Sequence, residues 1–264
     1  QFMKPRPSFP VRMEMATEKS GLVKTGRPGG SSSASSAVKA TSVHPASHGL
    51  DSSAVRMNMV QKLAGQGITD RLVLSAFGAI ERHRFVDSAL VNQSYEDTSL
   101  PIGLGQTISK PGVVSRMIEL LRNGAPGKLG RVLEIGTGCG YQAALLSLVA
   151  TEVYSIERLR GLHDKARENL RHLRLANLHL LFGDGMVGYA KGAPYAAIIA
   201  AAGGDAVPQA WVDQLAVGGR LVAPVASGGG RNGQALLVLD KTAHGIEQTV
   251  LEAVHFVPLK SGIA

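Results

Sequence analysis

Val132-Leu133-Glu134-Ile135-Gly136-Thr137-Gly138-Cys139-Gly140 is the stretch that decides the fold. Apolar residues and one acid lead directly into a Gly-x-Gly-x-Gly turn. A strand buried on both faces reads this way, and glycines at its end let the backbone approach a ligand closely. The apolar run Tyr141 to Val149 that follows reads as a helix, so the turn joins a strand to a helix. That junction binds nucleotide-type cofactors in doubly wound α/β domains. A dinucleotide fingerprint places its third glycine one position later, at 141. Here 141 is Tyr and the third glycine is Gly140. The spacing suits a nucleoside cofactor without phosphates, of which S-adenosylmethionine is the common one, and it disfavours a nicotinamide dehydrogenase.

Outward from this turn, strands alternate with helices. Strands are predicted at 131–135, 152–157, 178–183 and 195–201, and helices at 140–149, 159–172 and 208–216. Such alternation argues for a parallel sheet covered on both faces. Beyond Gly218-Gly219 the pattern turns strand-rich, at 220–226, 234–240 and 249–257, which suggests an antiparallel edge. Upstream, Val55, Met59 and Leu63 space as one amphipathic helix ending near Gly65. Thr69 is placed to cap a second helix carrying Leu72, Val73, Ala76, Phe77 and Ile80. Pro111 is placed to start a third, with Val113, Val114, Met117, Ile118 and Leu121 on one side. Between them, residues 95–109 read as a loop with brief extended segments, broken by Pro101, Gly103 and Gly105.

The bulk numbers bound the function classes. The 264 residues are 44% hydrophobic, enough for a sizeable core. No apolar run reaches the roughly 18 residues of a membrane span. One cysteine excludes an internal disulfide and a Cys-based zinc site, and a reducing, cytoplasmic compartment is the expectation. The net charge of +8 invites a nucleic-acid reading, but its location weakens it. Residues 1–50 hold seven basic against two acidic side chains, +5, and the other 214 residues carry only +3. The first fifty residues are rich in Ser, Gly and Pro without apolar periodicity, and read as a disordered basic extension lacking the apolar core of a secretory signal. Residues 51–264 read as a single domain, with 51–127 a helical and substrate-loop part and 128–264 the cofactor-binding sheet.

Ligands in such sheets lie at the carboxyl ends of the strands. Glu134 there faces the sulfonium end of the cofactor, or orients the glycine loop through its backbone N–H groups. Gly136, Gly138 and Gly140 form that loop. Glu157 closes the second strand, 21 residues past Gly136, where an acid accepts both ribose hydroxyls. The alternative is a surface acid paired with Arg158 or Arg160. Gly183-Asp184-Gly185 closes the third strand; Asp184 can accept from an adenine amino group while Gly185 allows close approach, or the segment is a plain turn. Ala200 to Gly204 closes the fourth with small residues that leave room for a ligand, and lacks the Asn-Pro-Pro-Tyr type of signature that amine methylation uses. Cys139 reads as a small loop filler rather than a nucleophile.

A second constellation precedes the sheet: Leu100-Pro-Ile-Gly-Leu-Gly-Gln-Thr-Ile-Ser109. With Val132 to Tyr141, Gly183-Asp-Gly185, Pro208-Gln-Ala, Gly218-Gly-Arg-Leu-Val222 and Phe256-Val-Pro-Leu259, it closely resembles the protein-L-isoaspartate O-methyltransferase family. The resemblance runs from about Ser52 to the last residue, and its Gln-Thr-Ile-Ser loop is the specific part. It implies a Rossmann-like, S-adenosylmethionine-dependent methyltransferase fold. It implies that Ser109 is the active-site hydroxyl and that Gln106, Thr107 and Ile108 line the channel between cofactor and substrate. Glu134, Glu157, Asp184 and Gly185 would be cofactor contacts, in line with the spacing. The implied substrate is the free carboxylate of an L-isoaspartyl residue in a damaged protein, and S-adenosyl-L-homocysteine is the implied product. Gly112 stands where relatives often carry Tyr or His, and Val114 where some carry His, so contacts of those side chains do not transfer. A monomer without metal or membrane partner is the expectation. The competing readings are a methyltransferase acting on nucleic acid and an adenosyl-binding module without turnover.

Overall fold

The computed structural model describes residues 53–227 and 233–264. The extension predicted for residues 1–50 lies outside the described residues. The sheet holds seven strands: β3 (Leu129–Ile135), β4 (Ala150–Glu157), β5 (Leu178–Phe182), β6 (Tyr195–Ala200), β7 (Leu215–Ala226), β8 (Gln234–Thr242) and β9 (Gly245–Val254). They follow a short hairpin of β1 (Leu100–Gly103) and β2 (Gln106–Ile108). Spatial order is β5-β4-β3-β6-β7-β8-β9. Pairings from β5 through β7 are parallel, and β8 and β9 add antiparallel at the edge. The chain therefore winds outward from β3 to β5, then returns to β6 on the other side of β3. The crevice beside β3 is the topological switch point at which such sheets bind ligands.

The helices are α1 (Ser53–Gly65), α2 (Arg71–Ala79), α3 (Pro111–Arg122), α4 (Tyr141–Val149), α5 (Arg160–Leu170) and α6 (Gln209–Gln214). Pro111 opens α3 as predicted, and Asn123, at φ 46°, closes it. The cap of α2 differs from the prediction. Asp70, not Thr69, accepts from the backbone N–H groups of Leu72 and Val73. The nearly buried Arg122 explains this: its Nε donates to Asp70 Oδ2 at 2.7 Å and fixes the carboxylate. Thr69 instead donates its N–H and hydroxyl to Glu119 on α3. The helix predicted at 208–216 stops at Gln214, because Leu215 already pairs with Tyr195 of β6.

Tyr141 joins the N-terminal helices to the sheet. It is 1% exposed and meets the rings of Phe77 and Phe85 edge-on, at 6.1 and 5.4 Å between centroids. The buried Arg82 guanidinium lies 4.9 Å from its ring centre and donates to the Ser94 carbonyl at 2.7 Å. The side chain that replaces a dinucleotide-type glycine is thus also a packing anchor. On the other face of the sheet, Trp211, Tyr195, Leu215 and Leu221 close a second apolar cluster.

Candidate active site

The carboxyl ends of β3, β4 and β6, the β1–β2 hairpin and the segment after β9 enclose a cavity of about 260 Å³. Gln106, Thr107, Ile108, Ser109, Gly136, Gly138, Glu157 and Gly185 all line it. Gln106 and Gly185, 79 positions apart in the chain, thus share one wall.

The glycine loop folds back over the end of β4. Gly136, Gly138 and Gly140 have φ of 91°, 57° and 93°, a region costly for side-chain-bearing residues. The Gly136 and Thr137 N–H groups donate to the Ile156 carbonyl at 2.9 and 3.2 Å. Gly140 does not line the cavity. It caps α4 in the left-handed conformation, and a Cβ there would stand 2.8 Å from Leu170 Cδ1. At Gly185 a Cβ would fall 2.6 Å from Ile135 Cγ2, so the cavity wall requires glycine.

The two acids divide their work differently from the sequence reading. Glu157, 5% exposed, reaches the glycine loop: Oε2 accepts from Gly138 N–H and Oε1 from Leu159 N–H, both at 2.9 Å. Glu134 neither faces the cavity nor holds the loop amides. It is fully buried and accepts from the Ser155 hydroxyl, which in turn lies 2.6 Å from Thr137 Oγ1. The register is the reason: Glu134 pairs with Ser155, two residues short of Glu157 on β4, so both acids share a face of the sheet and Glu134 lies deeper below its carboxyl edge. Burial pushes the Glu134 carboxyl up to about 8, against the hydroxyl of Ser155 and with Glu157 adding to the rise. Burial likewise raises the Cys139 thiol, as befits loop filler rather than nucleophile.

Asp184 does not line the cavity either. Its Oδ1 accepts from Met186 N–H at 2.8 Å, and its Oδ2 from Gly262 N–H at 2.6 Å. The reason is a strap of chain that the sequence did not reveal. Residues 257–264 run across the strand ends. Gly203 N–H donates to Val257 O and Leu259 N–H to Gly203 O, each at 2.8 Å. Arg158 Nε donates to Gly262 O, and Arg160 N–H to Ala264 O. Val257, Pro258, Leu259 and Lys260 thereby become cavity wall.

Ser109 is half-buried at the start of α3. It lines the main cavity and also a neighbouring groove formed with Ser99, Lys110, Val113, His255 and Phe256. No other residue is shared by the two. Gly112 explains itself: its N–H donates to Asp97 Oδ1 at 2.7 Å, and a Cβ would stand 2.9 Å from that oxygen. Val114 is buried in the cavity wall. Thr137, Gln142 and Leu104 were missed as site residues. Gln142 is the second residue of the helix that the glycine loop opens, and its buried amide is directed at the Glu134 carboxyl. An amide directly after a glycine turn was the available signal.

Fold and cavity together define a Rossmann-like, S-adenosylmethionine-dependent methyltransferase. Comparison with known proteins narrows this. The family model described as Protein-L-isoaspartate(D-aspartate) O-methyltransferase matches residues 54–264, and the chain belongs to that family. The protein-L-isoaspartate O-methyltransferase of Methylibium petroleiphilum is 52% identical, over 98% of this chain and 97% of its own. That of Leptothrix cholodnii is 58% identical over 82% and 77%. A solved protein-L-isoaspartate O-methyltransferase superposes with a TM-score of 0.71 at 28% identity, over 79% of this chain and 67% of its own. A provisionally assigned enzyme of the same description from Plasmodium falciparum, solved with S-adenosyl-L-homocysteine, gives 0.67 at 24% identity, over 78% and 98%.

Proposed function

We propose that the chain transfers the methyl group of S-adenosylmethionine to the free carboxylate of L-isoaspartyl residues in damaged proteins. One observation carries the reading: Ser109 alone joins the glycine-lined cavity to the adjoining groove. A methyl donor in the first and a peptide in the second would meet at its hydroxyl. The donor fits the residues present. Three left-handed glycines, a wall that a Cβ at Gly185 would fill and a carboxylate at the end of β4 match a nucleoside joined to an amino acid.

S-adenosylmethionine supplies a methyl group activated on a sulfonium sulfur. Glu157, already aligned by two backbone donors, accepts from the ribose hydroxyls. Gly136, Gly138 and Gly185 admit the cofactor at backbone distance, and Gln106, Thr107 and Ile108 wall the passage to the peptide. Glu134 acts from behind, bracing Thr137 through Ser155. Asp184 serves the nucleoside end by holding the strap. Ser109 donates to the isoaspartyl carboxylate and aims one oxygen at the methyl carbon. No strong base is required, because a carboxylate is ionised at neutral pH. The oxygen–carbon bond would form as the carbon–sulfur bond breaks, with S-adenosyl-L-homocysteine as leaving group, and the rate would come from alignment. Ser109 must not bind too tightly, since hydrogen bonds favour the full charge of the ground state over the reduced charge of the transition state. The methyl ester then closes to a succinimide, whose hydrolysis returns some normal aspartate.

The modest charge of the folded part does not favour nucleic acid as substrate. No helix among the described residues is long and apolar enough to cross a membrane. We assign residues 51–264 to one catalytic domain acting as a cytoplasmic monomer. The test is incubation with tritiated S-adenosylmethionine and matched Asp and isoAsp peptides. Base-labile volatile methanol from the isoAsp peptide alone is expected; equal label in both, or label in RNA or DNA, would overturn the assignment.

A further inference from the structure

The tip of the β1–β2 hairpin breaks a local rule. Gly103 pairs with Gln106, leaving Leu104-Gly105 as a two-residue turn with φ of 52° and 68°. Positive φ at both central residues is the condition of a type I′ turn, for which Asn-Gly is the favoured pair. A leucine there is strained, and this one is also 62% exposed. So exposed a side chain adds little to the fold's own core, and the strain calls for another beneficiary.

Its position supplies one. The base of the hairpin is fixed: Ile102 is 2% exposed, and Lys165 of α5 donates to its carbonyl at 3.0 Å. The tip leans onto the first turn of the same helix. A Cβ built on Gly161 would lie 3.1 Å from Leu104 Cδ1. Gly161 follows Glu157 by one turn of chain, and Leu104, Glu157, Arg158 and Leu159 all line the cavity. The leucine therefore spans from hairpin to α5 at the ribose end of the cavity, away from the groove beyond Ser109.

We propose that Leu104 is a cofactor-binding residue: it roofs the ribose end of the nucleoside held at Glu157, and Gly161 is small so that this side chain can lie down. This rests on the nucleoside reading given above. An apolar side chain that covers a bound ring removes both surfaces from water and slows ligand escape.

Leu104→Asn restores the preferred turn while removing the apolar cover. Gly161→Ala improves helix propensity while pushing the leucine off its seat. Both variants should melt at or above the wild-type temperature, yet bind S-adenosyl-L-homocysteine more weakly in calorimetry: about five- to tenfold for Leu104→Asn and about two- to fivefold for Gly161→Ala. Leu104→Met, which keeps an apolar cover, should stay within about twofold. KM for S-adenosylmethionine should rise with kcat and peptide KM unchanged. A purely structural leucine would not give this opposition of stability and affinity. Wild-type affinity in Leu104→Asn, or a rise in peptide KM instead, overturns the proposal. If the wild type itself binds no S-adenosyl-L-homocysteine, the nucleoside reading fails first and this proposal with it.

Discussion

Glu134→Gln isolates the most perturbed group beside the site. The carboxyl is fully buried, and burial lifts it from the ordinary 4.5 to about 8. At neutral pH the folded chain therefore keeps this proton, whereas the unfolded chain releases it. Stability rises with pH only where the unfolded state binds more protons; here it binds fewer, so stability falls as pH rises from about 4.5 to about 8 and then levels. A span of about 3.5 units at ~1.4 kcal/mol per unit sets the full effect on the order of 5 kcal/mol. Glutamine keeps the oxygen that accepts from Ser155 and carries no titrating proton. Urea unfolding at pH 5, 6, 7 and 8 should show the variant gaining on the wild type by several kcal/mol across that range. Parallel stability–pH curves would refute the reasoning, since they would mean that Glu134 is ionised in the fold.

Three further outcomes test the division of labour. Ser109→Ala should lower kcat by about ten- to a hundredfold through lost alignment of the carboxylate, with S-adenosyl-L-homocysteine affinity within about twofold by calorimetry. Glu157→Gln should weaken that affinity by roughly tenfold or more, because one of the two backbone donors now held by Glu157 would face an NH₂ group; an unchanged dissociation constant would remove Glu157 from the pocket. Asp184→Asn should release the strap, read as at least tenfold faster hydrogen exchange of the Gly262 amide, since Oδ2 is its acceptor.

The sheet, its order of strands and helices and the cofactor turn were legible along the chain. Buried strands and amphipathic helices write themselves in local periodicity, and a left-handed turn between them demands glycine whatever surrounds it. The antiparallel edge beyond Gly218 was legible for the same reason, as strands with no helices left to cross between them. What each polar side chain does was not, because that depends on neighbours far away in sequence. Asp70 rather than Thr69 caps α2 because Arg122, fifty-two positions on, reaches it. Glu157 rather than Glu134 holds the glycine loop because the pairing register sets Glu157 at the carboxyl edge and Glu134 two residues deeper, beside Ser155. Asp184 is taken by a strap of residues 257–264 that shows no strand or helix periodicity. The amino-acid order alone determined a glycine-bearing strand-to-helix turn in a parallel sheet, and a hydroxyl-bearing loop ahead of it. Only the tertiary structure brought Ser109 to the junction of two hollows, because packing across the sheet, not spacing in the chain, sets which surfaces meet.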